Sequence, residues 1–372
     1  MDNFIVSARK YRPDTFQTVV GQASITSTLK NAIKNGQLAQ AYLFCGPRGV
    51  GKTTCARIFA KTINCQNLAE NTEPCNECES CISFNENRSY NIHELDAASN
   101  NSVDDIRLLI DQVRIPPQVG KFSVYIIDEV HMLSQAAFNA FLKTLEEPPR
   151  HAVFILATTE KHKIIPTILS RCQIFDFNRI KISDIAGHLG NVASQEGITI
   201  EDEGLNVIAQ KADGAMRDAL SIFDQIVSFS GNNISYKDVI DNLNVLDYDY
   251  YFRLVDLFIK CDVPGALVVY NEILDNGFDG HNFVSGLSGH MRDLLVCKDA
   301  ITAQLLEVGG DIRLRYKQQA AACDSQFLID SLSIISECDT GYKVSLNKRL
   351  HVELCLIKVA QLILKKKMMS QS

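Results

Sequence analysis

The chain has 372 residues, 46% of them hydrophobic and 22% charged, a balance that fills ordinary globular cores and excludes a disordered or collagenous chain. No apolar run approaches the ~18 residues needed to cross a bilayer, and Met1-Asp2-Asn3-Phe4 lacks the basic and apolar regions of a secretory signal. A cytoplasmic location is therefore expected, with the 12 cysteines as reduced thiols or metal ligands. The formal net charge of −7 excludes a strongly basic DNA-gripping surface: opposite charges balance over residues 1–178 and the deficit lies in 179–372.

The first strong signal is the apolar run Ala41-Tyr42-Leu43-Phe44-Cys45, followed at once by Gly46-Pro47-Arg48-Gly49-Val50-Gly51-Lys52-Thr53. This is the G-x-x-x-x-G-K-T spacing of a phosphate cradle. A buried strand ends, glycines let the backbone turn its N–H groups inward, and Thr53 with Thr54 opens a helix whose positive end faces phosphate. Lys52 is placed to reach the β- and γ-phosphates, and the Thr53 hydroxyl to hold Mg²⁺.

Cys65, Cys75, Cys78 and Cys81 come next, spaced C-x₉-C-x₂-C-x₂-C. Four thiolates so close together can surround a tetrahedral Zn²⁺ and leave no open position, so the metal would be structural. A redox role is open to any C-x-x-C pair, but three cysteines at two-residue gaps beside a fourth favour metal. Of the other eight cysteines, most read as small core residues.

Strand patterns continue at Asn91–Leu95, Ser123–Ile127, Ala152–Ala157 and Gln173–Phe177, with helical patterns at Val103–Val113 and Ser134–Glu147 between them. The second helix has a Ser134 cap and is stopped by Pro148-Pro149. Such alternation predicts a parallel sheet covered on both faces, with ligands beyond the carboxyl ends of its strands. Asp128 and Glu129 end the third strand, where Asp128 would hold the Mg²⁺ shell and Glu129 would polarise the water attacking the γ-phosphate. His131 reads as a structural neighbour. Thr158-Thr159 end the fourth strand, where a hydroxyl could position that water. Arg171, just before the fifth strand, could reach a neighbouring subunit's nucleotide or make a surface ion pair. Arg217 opens a later helix and could lean over the γ-phosphate.

After Pro166 a single proline remains, Pro264, and strand patterns fade. Helical spacing recurs at Ile185–Glu196, Glu201–Ala212, Met216–Phe229 and Tyr251–Cys261, with Gly231-Asn232-Asn233 as a loop. The expected division is a nucleotide-binding domain at 1–178 with a zinc module at about 62–84, a helical lid at 179–242 and a helical domain at 243–372. Lys365 to Ser372 reads as a frayed, solvated tail.

Together these parts resemble the AAA+ ATPases over roughly residues 4–242. The cysteine module after the phosphate-loop helix narrows the likeness to the gamma/tau subunits of bacterial DNA polymerase III. Matching stretches are Ala8-Arg9-Lys10-Tyr11-Arg12-Pro13 with Val19-Val20-Gly21-Gln22, Leu95-Asp96-Ala97-Ala98-Ser99, Asp128 to Ser134, Leu142 to Pro149, and Ile168-Leu169-Ser170-Arg171-Cys172. The resemblance implies an ATP-hydrolysing motor of the sliding-clamp loader. Its subunits would assemble through a C-terminal helical collar into a pentameric ring with delta and delta-prime subunits. ATP binding would open the beta sliding clamp and grip primer-template DNA, and hydrolysis would release the clamp. It further implies that Thr159 senses the γ-phosphate, Arg171 acts on the adjacent subunit's ATP, Arg217 reads phosphate in its own site, and Ala8, Tyr11 and Val20 pack adenine.

One departure is the turn Asn100-Asn101-Ser102, where the family tends to place basic residues. Asn and Ser donors and a helix start near Val103 are then the expected phosphate contacts. Longer tau forms of the family continue past the position of Ser372, so the chain is expected to be either a gamma-like form or the part of a longer one that ends at the collar. Two other readings remain: a branch-migration helicase, against which the cysteine cluster counts, and a non-hydrolysing scaffold, against which the intact Lys52, Thr53, Asp128 and Glu129 count.

Overall fold

The computed structural model describes residues 5–369 except 87, 118, 119, 307 and 309. The signal-peptide expectation at residues 1–4 and the last three tail residues, 370–372, lie outside the described residues. The chain separates into two compact units, one of residues 1–196 with 208–225, the other of 197–207 with 226–372.

In the first unit, α1 (Ser7–Lys10) and a 3-10 turn at Phe16–Thr18 precede α2 (Ala23–Lys34). Then follow β1 (Ala41–Cys45), α3 (Lys52–Ile63), α4 (Glu79–Asn85), β2 (Ile92–Asp96), α5 (Val103–Val113) and β3 (Ser123–Asp128). The series continues with α6 (Gln135–Glu146), β4 (Ala152–Thr158), α7 (Pro166–Leu169), β5 (Gln173–Asp176) and α8 (Ile182–Glu196). All five strands are parallel, in the order β2-β3-β4-β1-β5. Every residue of β1 and β4 is buried, as expected of central strands covered on both faces. Alternation divides their side chains: Tyr42, Phe44 and Ile155 join the core under α3, while Leu43, Phe154 and Leu156 join the core under α5 and α6.

Local chemistry explains the helix starts. The Ser102 hydroxyl accepts from Asp105 N–H at 3.2 Å and the Asp105 carboxylate accepts from Ser102 N–H at 3.2 Å, a capping box for α5. Ser134 caps α6 by accepting from Ala137 N–H at 3.2 Å. The strand order matters most for function. Because β4 lies between β1 and β3, the loop after β1, Thr159 after β4 and Glu129 after β3 emerge side by side at one edge of the sheet, with Cys45 in register with Thr158.

The remaining elements are β6 (Thr199–Ile200), α9 (Asp202–Lys211), α10 (Met216–Ser230), β7 (Asn233–Ile234), α11 (Tyr236–Leu243), α12 (Tyr248–Ile259), α13 (Val263–Asp275), α14 (Gly280–Val296), α15 (Gly310–Ala322), α16 (Ser325–Tyr342) and α17 (Lys348–Met369). Two sequence expectations change here. Asn233 is not loop but part of β7, which pairs in parallel with β6, Thr199 opposite Asn233 and Ile200 opposite Ile234. Lys365 to Met369 lie within the bounds of α17 rather than in a frayed tail.

The second unit is otherwise helical, with a core that includes Leu254, Phe258, Ile273, Phe283 and Leu287 from α12, α13 and α14. Inside it lies one polar chain. His290 Nδ1 is 2.8 Å from the Tyr316 hydroxyl and Nε2 is 3.2 Å from Gln319 Oε1, while Gln319 Nε2 donates to Phe252 O at 2.8 Å and Asp256 Oδ1 at 2.7 Å. Since the Gln319 oxygen accepts, Nε2 carries the proton and Nδ1 accepts from Tyr316. Burial lowers the His290 pKa to about 4, with the Gln319 contact opposing the shift. A depressed folded pKa means the unfolded chain binds the proton first, so stability is full above ~6.5 and is lost as pH falls toward about 4. Between pH 7 and pH 5 this one group should remove about 2 kcal/mol from the helical unit. Urea melts at the two pH values check it, and His290→Phe should flatten the difference.

Candidate functional site

The loop from Gly46 to Gly51 is built as the sequence requires. A Cβ on Gly46 would sit 2.4 Å from Phe177 O, and Gly51, at φ 104°, precedes α3 in a left-handed conformation. Lys52 is buried within the loop and its Nζ donates to Gly46 O at 2.8 Å and Pro47 O at 2.7 Å. Burial lowers its pKa, and the Glu129 and Asp128 carboxylates oppose that shift. Gly49 packs against the start of α10: Arg217 N–H donates to Gly49 O at 3.4 Å.

Thr53 Oγ1 donates to Asp128 Oδ2 at 2.6 Å, bringing together two residues that are 75 positions apart. A hydroxyl and a carboxylate in contact at a strand end form a hard oxygen pair of the kind that fits Mg²⁺. Next to them Glu129 adopts φ 46° and ψ 44°, a left-handed conformation uncommon for a non-glycine residue and costly enough to mark functional sites. Its Oε2 accepts from Thr159 Oγ1 at 3.0 Å. His131 Nδ1 lies 3.1 Å from Thr158 Oγ1 and 3.4 Å from Glu129 Oε2, and Nε2 lies 3.4 Å from Glu160 Oε1. The imidazole thus braces Glu129 from the side.

A cavity of about 610 Å³ opens over these groups, a size that accommodates a nucleoside triphosphate. Of the residues singled out from sequence, Ala8, Tyr11, Val20, the span Arg48–Thr54, Asp128, Glu129 and Arg217 line it. Gly46 and Pro47 contribute through the Lys52 contacts, and Thr159 through Glu129. Arg171 is not among the lining residues: its guanidinium donates to Thr167 O at 2.8 Å and to Glu146 Oε1 at 2.7 Å, on the outer side of α6 and α7.

The α1 segment is pinned where it meets the cavity. Ser7 N–H donates to Asp224 Oδ2 at 2.7 Å, and Tyr11 Oη and Lys10 Nζ both donate to Glu196 Oε1 at 2.5 Å. Arg12 and Glu94 also line the cavity, and sequence reasoning gave neither a role. Arg12 Nε donates to Thr54 Oγ1 at 3.2 Å, with its pKa lowered by burial and by the like charge of Arg57. The signal was present in Tyr11-Arg12-Pro13, but only the fold brings that turn against α3.

The four cysteines converge. The sulfurs of Cys65, Cys75, Cys78 and Cys81 lie within 4.8 Å of one another, and Cys65 Sγ is 3.5 Å from Cys75 Sγ. Zinc–sulfur bonds of ~2.3 Å in a tetrahedron require sulfurs ~3.8 Å apart, so the donor set fits. Backbone amides already point at the sulfurs, Cys75 N–H toward Cys65 Sγ at 3.4 Å and Cys78 N–H toward Cys75 Sγ at 3.3 Å. Burial works to raise the Cys75 pKa, but amide donors from Glu77 and Cys78 bring it down to about 6.

The turn before α5 is hydrogen-bonded within itself. Ser99 Oγ donates to Asp96 Oδ2 at 3.2 Å, Ser102 Oγ donates to Asp105 Oδ2 at 2.6 Å, and Arg107 pairs with Asp104 at 3.1 Å. These donors are committed to carboxylates, and Asp104 with Asp105 offsets the positive helix end. Among the described residues no helix is long and apolar enough to cross a membrane.

Comparison with known proteins places this architecture. The family model described as DNA polymerase III, delta subunit matches residues 21–181, and that of the DNA polymerase III clamp loader subunit ATPase lid domain matches 184–232. The tau subunit of DNA polymerase III from Bacillus subtilis is 41% identical over 353 residues, 95% of this chain, which spans 62% of that protein. The gamma subunit from Buchnera aphidicola is 39% identical over 296 residues, 80% of each chain. Among solved structures, the RuvB Holliday junction branch migration motor of Thermotoga maritima aligns at 20% identity and a TM-score of 0.47, covering 67% of this chain and 79% of that one. The chain belongs to the gamma/tau family of DNA polymerase III subunits.

Proposed function

We propose that the chain is an ATP-hydrolysing motor subunit of a DNA polymerase III clamp loader. The observation that carries this reading is the strand-edge constellation in which Thr53 meets Asp128 while Thr159 holds Glu129 beside the phosphate loop. The helicase and scaffold readings are set aside, because the relatives are tau and gamma subunits of DNA polymerase III, the lid-domain match is to a clamp loader subunit, and Asp128 and Glu129 are intact.

Thr53 and Asp128 would hold Mg²⁺, which when bound neutralises charge on the phosphate oxygens. Lys52 and the loop amides bind the β- and γ-phosphates. Glu129 orients the attacking water and takes its proton, with Thr159 and His131 fixing the carboxylate. Ala8, Tyr11 and Val20 hold the base side, where Glu196 fastens Tyr11, and Arg217 binds phosphate from the start of α10. Arg171 faces away from its own cavity, which suits a residue that completes a neighbouring subunit's site. Zinc is assigned a structural role at the four cysteines.

We assign residues 1–178 to nucleotide binding, 179–242 to a lid and 243–372 to a collar, in a pentameric ring with delta and delta-prime subunits. The beta clamp and primer-template DNA are the partners, and the cytoplasm the location. With the serines before α5 committed to carboxylates, the DNA contact of each subunit is weak and depends on the ring. The test is ATPase activity of the chain alone and with partner subunits, clamp and primed DNA. Slow turnover alone and strong stimulation by the full set is expected. Full, sustained turnover on duplex DNA alone, with strand movement, would replace this reading with the helicase.

A further inference from the structure

Between Cys65 and Cys75 the chain carries Glu73, whose side chain is buried at 5% exposure, an uncommon position for a carboxylate. Its Oε2 accepts from Phe16 N–H at 2.8 Å and Oε1 accepts from Gln17 N–H at 3.0 Å. Lys30 Nζ, on α2, lies 2.6 Å from the same Oε1. Phe16 and Gln17 open the 3-10 turn, whose first amides have no acceptor within the turn itself. Immediately after that turn come Val19 and Val20, which line the base side of the cavity. One carboxylate from the cysteine loop thus satisfies both leading amides of the segment that shapes the base pocket.

The loop holding Glu73 is shaped by the cysteines on one side and α3 on the other. Ala69 N–H donates to Glu73 O at 3.1 Å, and Thr72 and Asn76 take left-handed φ values of 63° and 59°. The loop ends where Cys75 N–H meets the Cys65 sulfur. Lys61, buried on α3, donates to Asn76 Oδ1 at 2.6 Å, and the Arg57 guanidinium lies over the Phe84 ring of α4 at 4.7 Å. Left-handed residues and a buried carboxylate make a loop that keeps its form only when its ends are fixed.

We propose that the four-cysteine module is a strut for base recognition: metal held by the cysteines fixes the 65–75 loop, and Glu73 in that loop fixes residues 16–20. Glu73 is a positioning residue, acting on the base through Val19 and Val20 and not touching it. This inference rests on the nucleotide reading above and adds a coupling between metal occupancy and affinity for the base. The module also touches α3, at Lys61, but Lys52 and the phosphate loop lie at the opposite end of that helix, and the Glu73 side chain bonds to Phe16, Gln17 and Lys30.

The test uses the full chain, wild type and Glu73→Gln, each zinc-loaded and chelator-stripped, titrated with ATP and with inorganic tripolyphosphate. Tripolyphosphate engages the phosphate loop without a base. Stripping zinc from wild type should weaken ATP roughly tenfold and tripolyphosphate less than about twofold. Zinc-loaded Glu73→Gln should retain its metal and show the same selective loss, and stripping it should add less than about twofold. Lys30→Met, which removes only the counter-charge, should shift ATP affinity in the same direction by roughly threefold and serves if Glu73→Gln fails to fold. Unchanged ATP affinity after stripping, losses that multiply in the stripped variant, or parallel loss of both ligands would overturn the proposal. Zinc-loaded wild type that binds neither ligand would sink the nucleotide reading and the strut with it.

Discussion

Replacing Glu129 with Gln should leave ATP binding close to wild type and lower hydrolysis roughly 10²–10⁴-fold. The amide keeps the size and the oxygen that accepts from Thr159 Oγ1, so the left-handed turn after β3 and the Thr53–Asp128 contact stay in place. What disappears is the capacity to take a proton from water. In the proposed reading Lys52, the loop amides and Arg217 remain to bind phosphate. Equilibrium ATP binding and single-turnover hydrolysis, measured on the assembled complex, separate the two effects. Hydrolysis within about threefold of wild type would show that Glu129 is not the proton acceptor.

Arg171→Ala should suppress turnover of the assembled complex by roughly 10³-fold while leaving ATP binding by the isolated chain unchanged. The side chain contacts Glu146 and Thr167 O and lies outside its own cavity. Its ion pair with Glu146 is partly exposed, and pairs of that kind contribute about 0–1 kcal/mol, so the variant should fold normally. Loss of ATP binding in the isolated variant would instead assign Arg171 to its own pocket. Unimpaired turnover in the ring would reduce it to a surface contact.

Much of the fold was legible where local chemistry decides it. Five apolar residues between a polar turn and a glycine loop give β1 its bounds, and the 3.6-residue spacing from Val103 to Val113 gives those of α5. The Ser134 cap was readable for the same reason. What sequence left open was non-local. Strand order is set by how helices pack on the sheet, so nothing near Thr159 announces that β4 falls between β1 and β3. The β6–β7 pair has two residues a strand, too short for any periodicity, and α12 starts at Tyr248 because the Asp247 side chain accepts from Asp249 N–H. At the site, the Gly-rich loop and the acidic strand end carried their own signals. Arg12, Glu94 and Glu73 did not, because each acquires its partner across tens of residues.

The left-handed backbone at Glu129 has a bearing on engineering. A residue with a Cβ pays about 1 kcal/mol or more to sit there, and glycine does not. Glu129→Gly relieves that strain but also removes the carboxylate that accepts from Thr159 Oγ1 and meets His131, two effects of similar size and opposite sign on the melting temperature. The residue proposed to take the proton thus sits where backbone strain is held in place by side-chain contacts.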